Sequence, residues 1–209
     1  MRKTVIFLCS CLLAGCVGPA PRQSGIALYD LGNLAGAWGA PGLPIASVTV
    51  RANSWLDAPA QRYRLVYADS LQRHAYANSR WAAPPAELLE RFLQRRIVFG
   101  QPDFSGPGCR LQLTLDEIEQ RFDTPQSSKI VLEVRASLLP LRSDTLLRGD
   151  ALLSKRAFLI QKDAPTADAK GGVAATREAA QALADELAQW LNDLARERPQ
   201  VITLCKEKS

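Results

Sequence analysis

A single histidine limits the acid–base chemistry that this chain could perform. A serine or cysteine nucleophile is normally activated by an adjacent base. His74, the only histidine in the sequence, lies in a stretch with no nucleophile at a suitable spacing. Asp116, Glu117 and Glu119 form a small acidic group, but their alternation is typical of a strand end that runs into solvent. The sequence therefore predicts no catalytic residues, and a binding or assembly module rather than an enzyme.

The sequence also contains no recognisable motif for binding a metal ion or a phosphate group. Zinc sites need clustered Cys and His ligands, whereas beyond residue 16 this chain has one His and two cysteines that are far apart in the sequence, Cys109 and Cys205. The glycine-containing segment 106–110 lacks the Lys-Ser/Thr pair of a phosphate-binding loop and is predicted to be a turn. We expect no metal and no cofactor.

Cys16 is the residue whose position indicates a covalent modification. Arg2 and Lys3 precede an apolar run over 5–15, which has the plan of a secretory signal and is too short to span a membrane. The sequence Leu-Ala-Gly-Cys at 13–16 resembles the lipobox of bacterial lipoproteins. This resemblance implies cleavage after residue 15 and attachment of a diacylglycerol and fatty acyl groups such as palmitate to Cys16. The alternatives are a plain secretory signal with an accidental cysteine, or an uncleaved anchor.

The chain after residue 15 is mildly basic and begins with a tether. Loss of Arg2 and Lys3 leaves 24 basic and 21 acidic residues, a net charge of +3, which does not indicate nucleic-acid binding. Residues 16–26 are rich in Pro, Gly and Ser and predict a flexible tether, followed by a single periplasmic domain over 27–209. By resemblance to lipoprotein sorting, Val17 rather than Asp after the cysteine favours the outer membrane.

Cys109 and Cys205 are the two cysteines that would remain unmodified. An even pair in an oxidising compartment favours one disulfide. Two buried free thiols are the alternative.

Hydrophobic periodicity predicts an α+β domain. Alternating residues predict strands around 47–50, 62–67, 109–118, 129–141 and 146–160, with shorter strands at 27–32, 70–77 and 201–205. Spacings of three and four predict helices over 83–100 and 173–196. Strands, a helix, further strands and a second helix favour a mostly antiparallel sheet with two main amphipathic helices packed on one face. Trp38, in a Gly/Pro-rich loop, is the best candidate for contact with a partner or with lipid.

Four stretches, 47–67, 78–93, 158–175 and 182–191, carry a family resemblance. The most specific element is Ser79-Arg80-Trp81 followed by Pro84-Pro85 and an amphipathic helix. The chain resembles the auxiliary lipoproteins of ABC-type lipid transport systems, including the paraquat-inducible PqiC type. We expect Trp81 to have a structural role, in which its side chain fills the junction between sheet and helix.

That resemblance implies an outer-membrane lipoprotein facing the periplasm. Its partner would be an MCE-domain protein that forms a hydrophobic conduit, powered by an inner-membrane permease and ATPase. The resemblance leaves open whether the chain forms a homo-oligomer. An alternative from a different class is a lipoprotein that carries a lipid in its own pocket, which requires an apolar cavity of several hundred Å3.

Overall fold

A computed structural model describes residues 25–32, 42–98, 108–140 and 152–206. Cys16, Trp38, the predicted signal and most of the predicted tether lie outside these ranges. The described strands are β1 (Ala27–Tyr29), β2 (Ile45–Ala52), β3 (Ala60–Leu65), β4 (His74–Trp81), β5 (Cys109–Thr124), β6 (Ser127–Pro140) and β7 (Ser154–Asp163). The described helices are α1 (Pro85–Leu93), α2 (Ala169–Glu197) and α3 (Gln200–Lys206).

The strands form one mixed, mostly antiparallel sheet in the order β1-β4-β3-β5-β6-β7. The pairs β3–β4, β5–β6 and β6–β7 are antiparallel. β5 is long enough to hold two parallel partners on one edge, with β2 along its first half and β3 near its end. The predicted α+β class is confirmed.

A bulge in β5 reverses which of its residues face the helices. Up to Leu115 the odd-numbered residues lie on the helix face, with Leu115 opposite Val134 of β6. The register shifts between Leu115 and Glu117, so that Ile118 lies opposite the core residue Leu132. Beyond the bulge, Glu117 and Glu119 therefore lie on the other side of the sheet, which we call the open face.

Helix α1 begins where the sequence predicts it. Pro85 occupies the first turn, where its missing N–H leaves no hydrogen bond unmade. Leu89, Phe92 and Leu93 are buried, and the chain continues as a π-helical turn over Gln94–Val98.

Helix α2 covers the same sheet face as α1 and begins earlier than predicted. Leu88 and Leu89 of α1, Ile118 and Leu132 of the sheet, and Thr176 and Ala180 of α2 line one small interior space. Asp168 caps the helix by accepting a hydrogen bond from the Gly171 N–H at 2.7 Å, which is why it starts at Ala169 and not at residue 173. Its buried apolar stripe includes Leu183, Leu187, Trp190, Leu191 and Leu194.

The prediction of a final strand at 201–205 is wrong. The segment is helix α3, in which Val201 and Cys205 are buried. Residues four apart share one face of a helix, so these two side chains reach the core together from a single turn. In so short a segment, apolar residues at the first and last positions fit a strand and a helical turn equally well.

Candidate functional site

The two unmodified cysteines lie far apart in the sequence and meet in the fold. Cys109 begins β5 and Cys205 lies in α3, and the structure joins them in a disulfide with a Cα–Cα distance of 4.8 Å. Both residues are buried. The bond ties the last helix to the start of β5.

His74 belongs to an aromatic group at the opposite end of the sheet. Its ring stacks on Tyr63 at 5.0 Å, and Tyr63 also contacts Tyr76 and Phe122. The Tyr76 hydroxyl donates to Gln120 at 2.9 Å, and burial, followed by electrostatic interactions with Tyr63 and Asp168, raises the pKa of this phenol. His74 therefore makes an aromatic packing contact in this group.

An ion-pair network buried on the open face is the main feature that the sequence reading missed. The Glu119 side chain is 0% exposed and accepts from Arg64 at 3.0 Å and from Arg121 at 2.7 Å, with Arg73 at 3.5 Å. Arg73 also donates to both oxygens of Glu117, at 2.9 and 2.5 Å. We call these five residues the Arg–Glu network.

Electrostatics keep the network charged. Burial by itself would raise the pKa of Glu119, but hydrogen bonds from Arg64 and Arg121, together with the positive charge of Arg73, lower the pKa below its ordinary value. The hydrogen bond from Arg73 to Glu117 raises the pKa of Arg73. A carboxylate enclosed by arginines in this way is a structural anion and is poorly suited to accept a proton from a substrate.

The expectation that Glu117 and Glu119 run into solvent is wrong, for a reason that lies in the sheet. The register with β2 ends at Leu115 and the register with β3 begins at Gln120, so Glu117 and Glu119 fall between the two paired segments on that edge of β5. The Glu117 carboxylate accepts from the Ile118 N–H at 3.1 Å within this gap. Asp116 alone behaves as expected, in a pair with Arg135 near the surface at 2.6 Å.

A sequence signal for this network did exist. Arg62 and Arg64 alternate with apolar residues in β3, and Glu117, Glu119 and Arg121 alternate in β5. Two strands that each carry charges at every second position can pair them across one face. The missing information was the bulge, which decides which residues of β5 share that face.

The network also positions the segment that joins β3 to β4. We call residues 66–73 the β3–β4 loop. Arg64 donates to the Ser70 carbonyl at 2.7 Å while it holds Glu119. The Asp69 carboxylate accepts from the Leu71 N–H at 2.8 Å, and the Val66 N–H donates to the Phe122 carbonyl at 3.0 Å. The loop is thus anchored at its start, its middle and its end.

This loop presents apolar side chains to solvent. Leu71 is 86% exposed, Tyr67 is 47% exposed and Val66 is 36% exposed. At the base of the loop, the Arg73 guanidinium lies over the ring of Trp55, 4.3 Å from its centroid, and Trp55 is itself exposed. Such a cation–π contact holds the indole against the open face.

Among the described residues, the space between the helices and the sheet is nearly filled. The apolar cavity beside Trp81, Leu88 and Ile118 has a volume of about 10 Å3. A hollow of about 630 Å3 lies along α2 beside Gly42, but its lining includes Asp185, Gln189, Asn192 and Arg196. Trp81 is buried next to Pro85, as expected of a residue that closes the junction between sheet and helix.

In the part of the chain that the structure describes, no three His, Cys, Asp or Glu residues are arranged to hold a metal ion. Among the helices of these same ranges, none combines the length and the apolar character that crossing a membrane requires.

Comparison with known proteins identifies the family. The family model described as "ABC-type transport auxiliary lipoprotein component" matches residues 45–188. Protein XCC0632 from Xanthomonas campestris, assigned to DUF330, has a similar fold, with a TM-score of 0.64, 17% identity, and coverage of 83% of this chain and 99% of that one.

A second solved structure, titled as an uncharacterized protein, has a TM-score of 0.52 and 19% identity, and covers 83% of this chain and 98% of that one. No curated protein matches the chain. Since the family model spans well over half of the sequence, the chain belongs to the family of ABC-type transport auxiliary lipoprotein components.

Proposed function

We propose that this chain is a non-enzymatic docking component of an MCE-type ABC lipid-transport system. The observation that carries the proposal is the family match over residues 45–188, which makes the chain an auxiliary component of an ABC-type transporter. An auxiliary component works through contact with the transporter. The partner that we propose is the MCE-domain protein, whose conduit would carry phospholipid or a sterol-like lipid between the inner and outer membranes.

The position of the protein is part of the proposal. Residues 1–15 act as the signal, Cys16 carries the acyl chains, 16–26 form the tether and 27–209 form one periplasmic domain. The anchor lies in the outer membrane and the domain faces the periplasm. Acyl chains hold such a protein firmly, because each buried methylene contributes about 0.8 kcal/mol. Mass spectrometry of the mature chain tests this directly, since the proposal requires an acylated cysteine at residue 16.

The filled interior supports docking over carriage of a ligand. A lipid-carrying domain needs an apolar cavity of several hundred Å3, whereas the apolar space lined by both helices and the sheet measures about 10 Å3. The Arg–Glu network supports a role other than catalysis, because its carboxylates are already neutralised by arginines. Both features suit a rigid domain that offers its surface to a partner.

Co-purification from native membranes tests the docking role. The full-length lipoprotein, tagged after its last residue and extracted in a mild detergent, is expected to elute with an MCE-domain protein that mass spectrometry identifies. An unrelated outer-membrane lipoprotein with the same tag provides the control. Recovery of the chain as a solitary monomer, even after cross-linking in intact cells, would contradict the proposal. Native mass spectrometry of the same sample separately reports whether any lipid stays bound to the domain.

A further inference from the structure

The β3–β4 loop presents a leucine to water on a rigid support. Single exposed apolar residues are common on protein surfaces and need no explanation. Leu71 differs because it is 86% exposed on a loop that also exposes Tyr67 and Val66. The Asp69 carboxylate accepts from the N–H groups of Leu71 and Gln72. The Arg64 guanidinium donates to the Ser70 carbonyl, so the backbone is held on both sides of Leu71. A loop held in this way keeps its apolar side chains outward and cannot fold them back onto the domain.

The direction of β1 shows which end of the sheet the preceding chain comes from. β1 pairs parallel to β4, with Ala27 opposite Ser79 and Tyr29 opposite Trp81. β4 itself begins at His74, directly after the β3–β4 loop. The chain that precedes β1 therefore enters from the end of the sheet that carries this loop. Gly25 lies level with Ala77, about 10 Å along the strand from His74.

The length of chain between Cys16 and Gly25 limits how far Cys16 can lie from this part of the sheet. Eight residues lie between Cys16 and Gly25, so a fully extended chain places Cys16 at most about 30 Å from Gly25. With Cys16 acylated as proposed, the bilayer surface lies within about 30 Å of Gly25. The disulfide and helix α3 lie at the other end, beside the start of β5.

We propose that the β3–β4 loop inserts Leu71, with Tyr67 beside it, into the interfacial region of the bilayer that holds the acyl chains of Cys16. The inference rests on the proposed acylation of Cys16 and adds a second, non-covalent contact that fixes how the domain stands on the membrane. The domain then presents its disulfide end away from the lipid surface. An aromatic ring with a polar tip suits the headgroup region, while a leucine suits the acyl boundary.

Attraction between charges contributes little to this contact. Asp69, Asp123 and Asp163 lie at this end of the sheet together with Lys129 and Lys162, so the end has no single sign of charge. The contact should therefore be as strong on neutral vesicles as on anionic ones, and largely independent of salt. A docking protein recognised through charge would behave in the opposite way.

Site-directed spin labelling of the full-length acylated lipoprotein in vesicles tests the proposal. The label is placed at Leu71→Cys, with a second variant at Tyr67→Cys and a matched control at Leu152→Cys. Leu152 is also exposed, at 49%, and adjoins Leu153, which bonds Leu138 about 30 Å along the sheet from the loop. The mass of each protein is measured first, to establish that Cys16 is acylated. The vesicles contain either phosphatidylcholine alone or phosphatidylethanolamine and phosphatidylglycerol at about three to one.

The expected result is that labels at 71 and 67 are several-fold more accessible to oxygen than to a water-soluble nickel chelate, in both vesicle types, while the label at 152 is not. Acylated protein on vesicles with all three labels equally accessible to the nickel chelate would overturn the inference and leave the docking role intact. Protection of residue 71 only after an MCE-domain protein is added would overturn it in favour of a protein partner. An unmodified Cys16 would refute the anchor itself, together with this inference.

Discussion

Glu119 carries a negative charge inside the sheet because three arginines surround it. Its side chain is 0% exposed and is hydrogen-bonded by Arg64 and Arg121. Removing one member of a buried ion pair leaves the other charges without compensation, which typically costs about 3–5 kcal/mol. We expect Glu119→Gln to lower the free energy of unfolding by about 3 kcal/mol at pH 7, as measured by urea denaturation.

Asp116→Asn provides the matched control for that substitution. Asp116 is three residues away and also pairs with an arginine, but its partner Arg135 has a side chain that is 65% exposed. Exposed pairs contribute little, because water and salt screen them. A loss for Asp116→Asn as large as that for Glu119→Gln would show that burial is not what makes the network important.

The lowered pKa of Glu119 makes the stability of the protein depend on pH in the acid range. In the unfolded chain this carboxyl titrates near its ordinary value of 4.5, whereas in the folded state its pKa is lower. Between those two pKa values the unfolded chain binds more protons than the folded protein. The contribution of the Glu119 carboxylate to the free energy of unfolding is therefore complete above about pH 5 and declines as the pH falls. We expect the free energy of unfolding to fall more steeply below about pH 4.5 in the wild type than in Glu119→Gln.

The acid dependence is measured by urea denaturation at a series of pH values. Asp168, whose pKa is lowered by the Gly171 N–H and the Thr166 hydroxyl, adds an acid-sensitive contribution to both proteins. The difference between the two curves therefore isolates Glu119. Parallel curves below pH 4.5 would argue that the arginines do not stabilise its charged form.

At the scale of secondary structure, the start of α2 depends on the absence of a side chain. A Cβ added to Gly171 would lie 2.0 Å from the Thr166 carbonyl oxygen, which belongs to the backbone and cannot rotate away. We expect Gly171→Ala to destabilise the protein by about 2 kcal/mol, although alanine favours helix by up to about 1 kcal/mol over glycine. Thermal unfolding followed by circular dichroism measures the change.

Gly172→Ala tests the same reasoning at the neighbouring position. There the added Cβ would meet the Gln120 side chain, 2.2 Å from its Oε1, and not a backbone atom. Gln120 can rotate, with loss of its hydrogen bonds to Tyr76 and Ser128. We therefore expect Gly172→Ala to lower the stability of the protein by less than Gly171→Ala does. The reverse order would mean that the Gln120 contacts hold the helix start more firmly than the turn at Thr166 does.

Elements with a long, regular pattern were predictable from the sequence, and irregular ones were not. Leu111, Leu113 and Leu115 alternate, and the strand they predict is part of β5. The bulge after Leu115 carries no residue signal of its own, so the side of the sheet on which Glu117 and Glu119 lie could not be read from alternation. Helix α2 was predicted in its body but not in its start, because two glycines resemble a loop until their close packing is known.

At the scale of the whole molecule, the two ends of the sheet have different properties. One end carries the exposed β3–β4 loop and receives the chain that leads from Cys16. The other end carries the disulfide between Cys109 and Cys205. The sequence predicted this bond only from an even pair of cysteines in an oxidising compartment, and it did not predict where in the fold the bond lies. Which ends these features occupy follows from the parallel pairing of β1 with β4, and no local sequence pattern specifies that pairing.

The disulfide should therefore contribute to the stability of the entire domain. It links residues 96 positions apart. In the chain-entropy model, closing a loop of about 100 residues in the unfolded chain adds up to about 4.7 kcal/mol to the free energy of unfolding. We expect the double variant Cys109→Ala/Cys205→Ala to lose about 2–5 kcal/mol in urea denaturation. Dithiothreitol should lower the stability of the wild type towards that of the variant and leave the variant unchanged, because its thiols are absent. An unaffected wild type would mean that the two cysteines are not bonded in the native protein.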